Sequence, residues 1–180
     1  VVLCVDEKTQ IQALNRTQPM LPLRPGLPAR QTHDYKRNGV VSLFAALEVV
    51  SGRIIGECRE RHTGADFLVF LKRISGSFRK RELHIILDNS KIHSTPAVQE
   101  WLQKHPRVHF HFTPTGASWI NLVEAWFSVL TRKSIRRGSF DTVRKLIRHI
   151  NHYLLHWNED PTPFVWTKEP EAVIQKAVRH

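Results

Sequence analysis

Two short apolar runs, each followed directly by an aspartate, constrain the fold of this chain most strongly. The runs are residues 1–5 and 83–87, and Asp6 and Asp88 follow them. Continuous apolar runs rich in β-branched residues predict strands buried on both faces, at the centre of a partly parallel sheet. An aspartate at the end of such a strand lies at the carboxyl edge, where open α/β sheets bind their ligands. We therefore expect Asp6 and Asp88 to stand on neighbouring strands.

Carboxylates on neighbouring strands need a partner for their charge. At about 5 Å they repel by roughly 3 kcal/mol at an effective dielectric of 20. Either a shared proton or a cation relieves this repulsion, and an all-oxygen site suits a hard divalent metal. Glu124 is a third candidate ligand, because it lies on a polar stripe of a predicted helix with Asn121, Ser128 and Thr131. Asn121 and Glu124 equally fit a helix capping box, and that alternative stays open here.

The composition points to a polyanionic partner. The chain has 180 residues, with 27 Lys and Arg against 16 Asp and Glu, a net charge of +11. Such an excess makes nucleic acid the first candidate partner, with a basic solvated surface as the alternative. Two cysteines are too few for a disulfide framework and suit a reducing compartment. No apolar stretch approaches the roughly 20 residues that a membrane span requires, so we expect no membrane association.

The order of predicted elements indicates an α/β fold with a mixed sheet and helices packed on it. A hairpin is predicted at residues 40–50 and 53–58, a helix at 65–74, and the strand before Asp88 follows. A helix opening at Thr95 and Pro96 runs to about residue 104, and a strand covers residues 108–112. Two helices close the chain, at residues 120–133 and from Ser139, its expected N-cap, to about residue 157.

Residues 18–38 form a proline-rich excursion, with prolines at 19, 22, 25 and 28. This spacing predicts an extended, polyproline-like segment. A rigid surface loop and a segment that grips DNA or a partner subunit are both compatible with it. Its basic residues are candidate DNA phosphate contacts, namely Arg24, Arg30, Lys36 and Arg37.

Local strings and their spacing resemble one known family. Asp88 opens the string Asp-Asn-Ser-Lys-Ile-His, and thirty-five residues separate it from Glu124. With these features the chain resembles the DDE transposases of bacterial insertion sequences in the mariner-like superfamily. The resemblance extends over nearly the whole chain, and further matching strings are Asp6-Glu7-Lys8, Thr32-His33-Asp34-Tyr35, Thr113-Pro114 and Pro163-Phe164-Val165-Trp166.

The resemblance implies an RNase H-like catalytic core, a mixed sheet with helices on both faces. It implies that Asp6, Asp88 and Glu124 are a catalytic triad holding two Mg²⁺ or Mn²⁺ ions. The implied reaction is cleavage of double-stranded DNA at transposon ends, followed by transfer of the 3′-end into target DNA. The proline-rich excursion would correspond to a clamp-like loop that steadies a homodimer on the transposon end.

Several residues around the triad are expected to assist it. Asn89 and His93 would orient Asp88 or approach a phosphate, although a cap or solvent role fits each of them too. Strand alternation places Glu7 on the face opposite Asp6, so it ranks below the triad. The remaining candidates for phosphate contacts are Lys91, Arg132, Lys133, Arg136 and Arg137.

We expect residues 1–180 to form a single catalytic domain. The family that it resembles also carries an N-terminal helix-turn-helix region, and nothing of that kind precedes Val1, so we expect a piece of a longer protein. Such a piece would bind DNA by charge with little sequence choice, in the bacterial cytoplasm and associated with the nucleoid. Two alternatives remain: an RNase H-like nuclease without strand transfer, and an inactive DNA-binding remnant.

Overall fold

The computed structural model describes residues 1–16, 35–114 and 120–165. This part of the chain contains five strands and four α-helices. The strands are β1 (Val2–Arg16), β2 (Tyr35–Glu48), β3 (Ile54–Arg59), β4 (Leu83–Leu87) and β5 (Val108–Phe112). The helices are α1 (Gly64–Ser77), α2 (Pro96–Gln103), α3 (Leu122–Lys133) and α4 (Val143–Glu159). Two 3-10 turns, Lys91–Ser94 and Ile135–Arg137, follow β4 and α3 respectively.

The five strands form one mixed sheet in the order β3-β2-β1-β4-β5. The strand pairs β1–β2 and β2–β3 are antiparallel, whereas β4 runs parallel to both β1 and β5. The two apolar runs of the sequence therefore lie at the centre of a partly parallel sheet, as predicted.

Helices cover both faces of this sheet, because alternate residues of its strands are apolar on each side. Helix α1 buries Phe67, Phe70, Leu71 and Ile74 on one face. On the other face, α3 and α4 pack on β1 and β2 around Trp126, which is fully buried. Burial of each large apolar side chain contributes about 1.5–3 kcal/mol, so both layers hold the sheet in place. The predicted α/β arrangement with helices on both faces is confirmed.

Strands β1 and β2 are longer than the sequence predicted. Strand β1 does not end near Asp6 but continues to Arg16, with an irregular register between Lys8 and Ile11. Gln10 adopts a left-handed conformation, φ 51°, at this irregularity. Strand β2 begins at Tyr35, so the last four residues of the expected proline-rich excursion belong to the sheet. Residues 18–34 of that excursion lie outside the described residues.

Helix α4 begins later than predicted, at Val143, and its N-cap is Thr142. Ser139 cannot be the cap, because the backbone N–H of Phe140 donates a hydrogen bond to the Leu14 carbonyl, 2.7 Å away. This contact keeps the chain beside β1 before the helix starts. The Thr142 hydroxyl then accepts from the Lys145 N–H at 3.2 Å, the usual role of an N-cap side chain.

The edge strand β3 is held by one side chain of α4. The Asn158 amide accepts a hydrogen bond from the Ile54 N–H at 2.9 Å and donates one to the Ile54 carbonyl at 2.8 Å. These backbone groups face away from β2, so the side chain takes the place that a further strand would occupy. Within the described residues, no helix is long and apolar enough to cross a membrane.

Replacement of Asn158 tests this edge contact. Asn158→Ala removes two hydrogen bonds to half-buried backbone groups, so we expect a loss of about 1–3 kcal/mol in the free energy of unfolding. Chemical denaturation measures it. Asn151→Ala, on an exposed position of the same helix, is the matched control and should change stability by less than about 0.5 kcal/mol. Equal effects of the two substitutions would contradict the edge role of Asn158.

Candidate active site

Asp6 and Asp88 are brought side by side by the parallel register of β1 and β4. The paired residues are Val2 with His84 and Cys4 with Ile86, and two further steps along each strand reach the aspartates. Asp88 follows the last residue of β4, as predicted. Asp6 is a correction: it lies within β1, opposite Ala45 of β2, rather than at a strand end.

Asp6 is a buried carboxylate. Asp6 is only 6% exposed, and its Oδ1 accepts a hydrogen bond from the Glu7 backbone N–H at 2.8 Å. Burial, with smaller contributions from the charges of Glu7, Asp88 and Glu124, raises the pKa of Asp6 to about 8 against the lowering effect of that hydrogen bond. The three acids of the predicted triad are therefore close enough to interact electrostatically.

Asp88 is held by the loop that follows β4. Its Oδ1 accepts from the Ser90 backbone N–H at 3.1 Å and lies 3.1 Å from Nδ1 of His93. His93 sits in the 3-10 turn after β4, is fully buried and packs against the Phe67 ring. Burial alone lowers the pKa of His93, but its contacts with Glu7 and Asp88 outweigh burial and the pKa is raised.

Glu124 reaches the site from the first turn of α3. The N-cap of this helix, Asn121, is fully buried, and its amide donates to the Val5 carbonyl at 2.9 Å. That bond docks the start of α3 on β1, one residue before Asp6. Asn121 makes no side-chain capping bond, so the capping-box alternative for Asn121 and Glu124 is wrong.

The other expected supporting residue, Asn89, contacts a different strand. Its amide donates to the Thr113 carbonyl at 2.9 Å and so joins the ends of β4 and β5. The orientation of Asp88 comes instead from Ser90 and His93.

The candidate phosphate contacts fall into three places. Lys91 is exposed in the turn that carries His93, close to the triad. Lys36 and Arg37 are exposed at the start of β2, about 30 Å along the strand from Ala45 at 3.4 Å per residue. Four more are exposed at the end of α3 and in the following 3-10 turn, namely Arg132, Lys133, Arg136 and Arg137. Arg24 and Arg30 lie outside the described residues.

The carboxylates are neighbours without forming a closed metal site. Within residues 1–16, 35–114 and 120–165, no three His, Cys, Asp or Glu side chains are arranged to hold an ion. The donor set nevertheless fits a hard divalent cation, because it consists of carboxylate oxygens, and burial together with their mutual repulsion raises the pKa of the buried member.

The mixed sheet, the helices on both faces and the three neighbouring acids define an RNase H-like core of the DDE class. The family model described as "DDE superfamily endonuclease" matches residues 1–147, and the chain belongs to this family. A curated relative supports the predicted resemblance to insertion-sequence transposases. It is the "Insertion element IS630 uncharacterized 39 kDa protein" of Shigella sonnei, 25% identical over 123 residues. The match covers 68% of this chain and 35% of the relative, so the chain spans about a third of that protein's length.

Solved structures share this fold. A pre-cleavage Mos1 transpososome matches with a TM-score of 0.59 and 17% identity, over 99% of this chain and 52% of that chain. The catalytic core domain of BIV integrase matches with a TM-score of 0.56 and 11% identity, over 99% of this chain and 96% of that one. At these identities the likeness shows the fold, which is the predicted RNase H-like one.

Two residues at the site were underrated from the sequence. The sequence places Asn121 only on a polar stripe or in a capping box, and neither pattern predicts its buried hydrogen bond to the Val5 carbonyl of β1. Glu7 was placed below the triad, yet its carboxylate lies 3.3 Å from His93 Nε2. The available sequence signal for Asn121 was a polar residue directly before an apolar helix start. The signal for Glu7 was a second acid directly after Asp6.

The raised pKa of Asp6 has a testable consequence for stability. Because the folded-state pKa of Asp6, about 8, exceeds the ordinary aspartate pKa of 3.8, the folded protein holds a proton that the unfolded chain releases. Without metal, stability is therefore lost as the pH rises from about 4 to about 8. We expect Asp6→Asn to unfold at a higher temperature than wild type at pH 8 in EDTA, with a smaller difference at pH 5. Thermal denaturation at both pH values measures this, and an unchanged difference would contradict it.

Proposed function

We propose that this chain is the catalytic part of a transposase that cuts DNA at transposon ends and joins the freed 3′-end to target DNA. The observation that carries the proposal is the buried Asp6 beside Asp88 and Glu124 in a chain of net charge +11. Clustered negative charge weakens binding to a phosphate backbone, so a protein that only binds DNA has no use for it. Membership of the DDE endonucleases supports the same conclusion.

Asp6, Asp88 and Glu124 would hold two Mg²⁺ or Mn²⁺ ions. A cation would offset the burial and the repulsion that together raise the pKa of Asp6. Such ions supply an activated water or 3′-hydroxyl and stabilise the departing oxygen at phosphorus. A Mos1 mariner paired-end complex, similar to this chain with a TM-score of 0.55 and 18% identity, was solved with Mn.

The side chains of the protein then have positioning roles rather than acid–base roles. The Glu7 amide fixes one oxygen of Asp6, and Ser90 with His93 fixes Oδ1 of Asp88. Asn121 fixes the helix that carries Glu124. Rigidly held carboxylates lose little entropy when they bind a cation, which favours metal binding at this site.

The DNA partner would be bound through the exposed basic residues. Lys91 lies nearest the triad, while Lys36 and Arg37 would contact the duplex about 30 Å away along β2. We also propose that the chain acts as a homodimer on double-stranded DNA, as the resemblance to transposases implies. Arg24 and Arg30 belong to the same proposal as further phosphate contacts.

Metal binding is the first test. We expect saturable Mn²⁺ binding by calorimetry, with a stoichiometry near two, and a marked loss of affinity in Asp88→Asn because one ligand oxygen is replaced by an amide. Asp141→Asn is the matched control, since this exposed aspartate pairs with Lys145 away from the site. A lack of binding by wild type, both alone and with a DNA oligonucleotide, would sink the active-enzyme proposal.

Cleavage and joining distinguish a transposase from a plain nuclease. In Mn²⁺, wild type should nick plasmid DNA, and Asp88→Asn and Glu124→Gln should be slower by at least about 100-fold because transition-state charge is no longer stabilised. A labelled duplex with a free 3′-hydroxyl, incubated with plasmid, reports joining. Nicking without joining would support the nuclease alternative, and equal nicking by the Asp88→Asn protein would contradict the triad.

The salt dependence of DNA binding tests the phosphate contacts. The double substitution Arg132→Ala with Lys133→Ala should lower the slope of log affinity against log salt by about 2, one unit for each lost contact. Fluorescence anisotropy with duplex DNA at several salt concentrations measures the slope. Lys104→Ala is the control, because this lysine pairs with Glu100 on α2. An unchanged slope in the double variant would place the DNA elsewhere.

A further inference from the structure

Glu7 is a shielded carboxylate for which the proposed reaction has no use. It follows Asp6 in β1 and points to the opposite face of the sheet, where its side chain is only 11% exposed. A shielded charge is costly unless it is paired. The partner is His93, whose Nε2 lies 3.3 Å from Glu7 Oε2, at ion-pair distance although not in hydrogen-bond geometry.

His93 connects this carboxylate to Asp88. Its Nδ1 lies 3.1 Å from Oδ1 of Asp88 and 3.1 Å from the backbone carbonyl of the same residue. The ring is fully buried and packs against Phe67 at a centroid distance of 4.5 Å. A flip of the imidazole would exchange both nitrogens for carbons, so Glu7 and Asp88 select the same ring orientation.

Glu7 also contacts the other aspartate, through its backbone. Its N–H donates to Oδ1 of Asp6 at 2.8 Å. One residue thus holds Asp6 directly and reaches Asp88 through His93, across two adjacent strands of the sheet.

We propose that Glu7 is a positioning residue that fixes, through His93, the orientation in which Asp88 binds metal. The proposal rests on the proposed function, because oriented carboxylates matter only if a cation binds. Removal of a residue that orients a metal ligand without binding the metal itself typically lowers metal affinity by about 10- to 100-fold. A purely structural Glu7–His93 pair would affect folding and leave metal affinity unchanged.

The test compares matched variants of this chain by Mn²⁺ calorimetry. Glu7→Gln keeps the side-chain length and the backbone N–H but removes the charge, and we expect affinity to fall at least about tenfold. Glu57→Gln is the control, since this carboxylate of the edge strand is also shielded, at 19% exposure, but pairs with Arg59 of the same strand and with Arg73 of α1. It should bind Mn²⁺ like wild type.

A second variant keeps the test decisive if Glu7→Gln does not fold. His93→Asn retains a donor near Asp88 but cannot reach Glu7, and we expect a similar tenfold loss. In the double variant the loss should not exceed that of His93→Asn alone, because Glu7 acts through the ring. The side-chain ¹⁵N signals of His93 should shift in Glu7→Gln and stay in place in Glu57→Gln.

Each outcome separates this proposal from the proposed function. Wild-type Mn²⁺ binding that persists unchanged in both Glu7→Gln and His93→Asn would overturn the positioning role while leaving the transposase proposal intact. Additive losses in the double variant would also overturn it. If wild type binds no Mn²⁺, alone or with DNA, the proposed function fails and the positioning role fails with it.

Discussion

The parallel pairing of β1 with β4 fixes the position of everything else at the site. Only three residue pairs join these strands, from Val2 with His84 to Cys4 with Ile86, yet they set the register for both aspartates. A slip of one residue would turn Asp6 to the α1 face and bury Glu7 in its place. Alternate apolar residues of β1 pack into the two core layers. A slip would therefore be costly, because each layer would lose the apolar contacts that β1 makes with it.

Helix α3 depends on the same strand through a single buried amide. Asn121 satisfies the Val5 carbonyl at 2.9 Å instead of capping its own helix, so the helix start is tied to β1 rather than to itself. The cost of an uncapped helix end is balanced by the burial of Val123, Trp126 and Phe127 against the sheet. Glu124 therefore owes its place to packing on one side and to one hydrogen bond on the other.

Much of the fold could be predicted because it follows from the local periodicity of apolar residues in the sequence. The central strands, the hairpin and the helix at α1 follow directly from apolar runs and spacing, and the two aspartates follow from their place after those runs. The continuation of β1 past Asp6 could not be read in this way, because Glu7 to Gln10 is polar and the strand persists by pairing with β2. The start of α4 was missed because a tertiary bond from Phe140 to Leu14 delays it.

The contacts around the triad were harder to predict, for the same physical reason. His93 next to Asp88 was foreseen as a support, but its second partner lies on another strand, 86 positions earlier in the chain. Strand alternation correctly places Glu7 on the face of the sheet opposite Asp6. The contact that Glu7 makes on that face depends on the three-dimensional position of the turn after β4, which carries His93. Pairings between distant residues leave no local pattern in a single sequence.

The side chain of Asn158 on the edge strand also bears on self-association. An open strand edge is a template on which unrelated chains can add strands and grow into insoluble assemblies. At Ile54 an incoming strand would first have to break two hydrogen bonds that the protein already makes. The homodimer on DNA proposed above would gain from this, since crowding of its copies would then favour the ordered complex over aggregation through that edge.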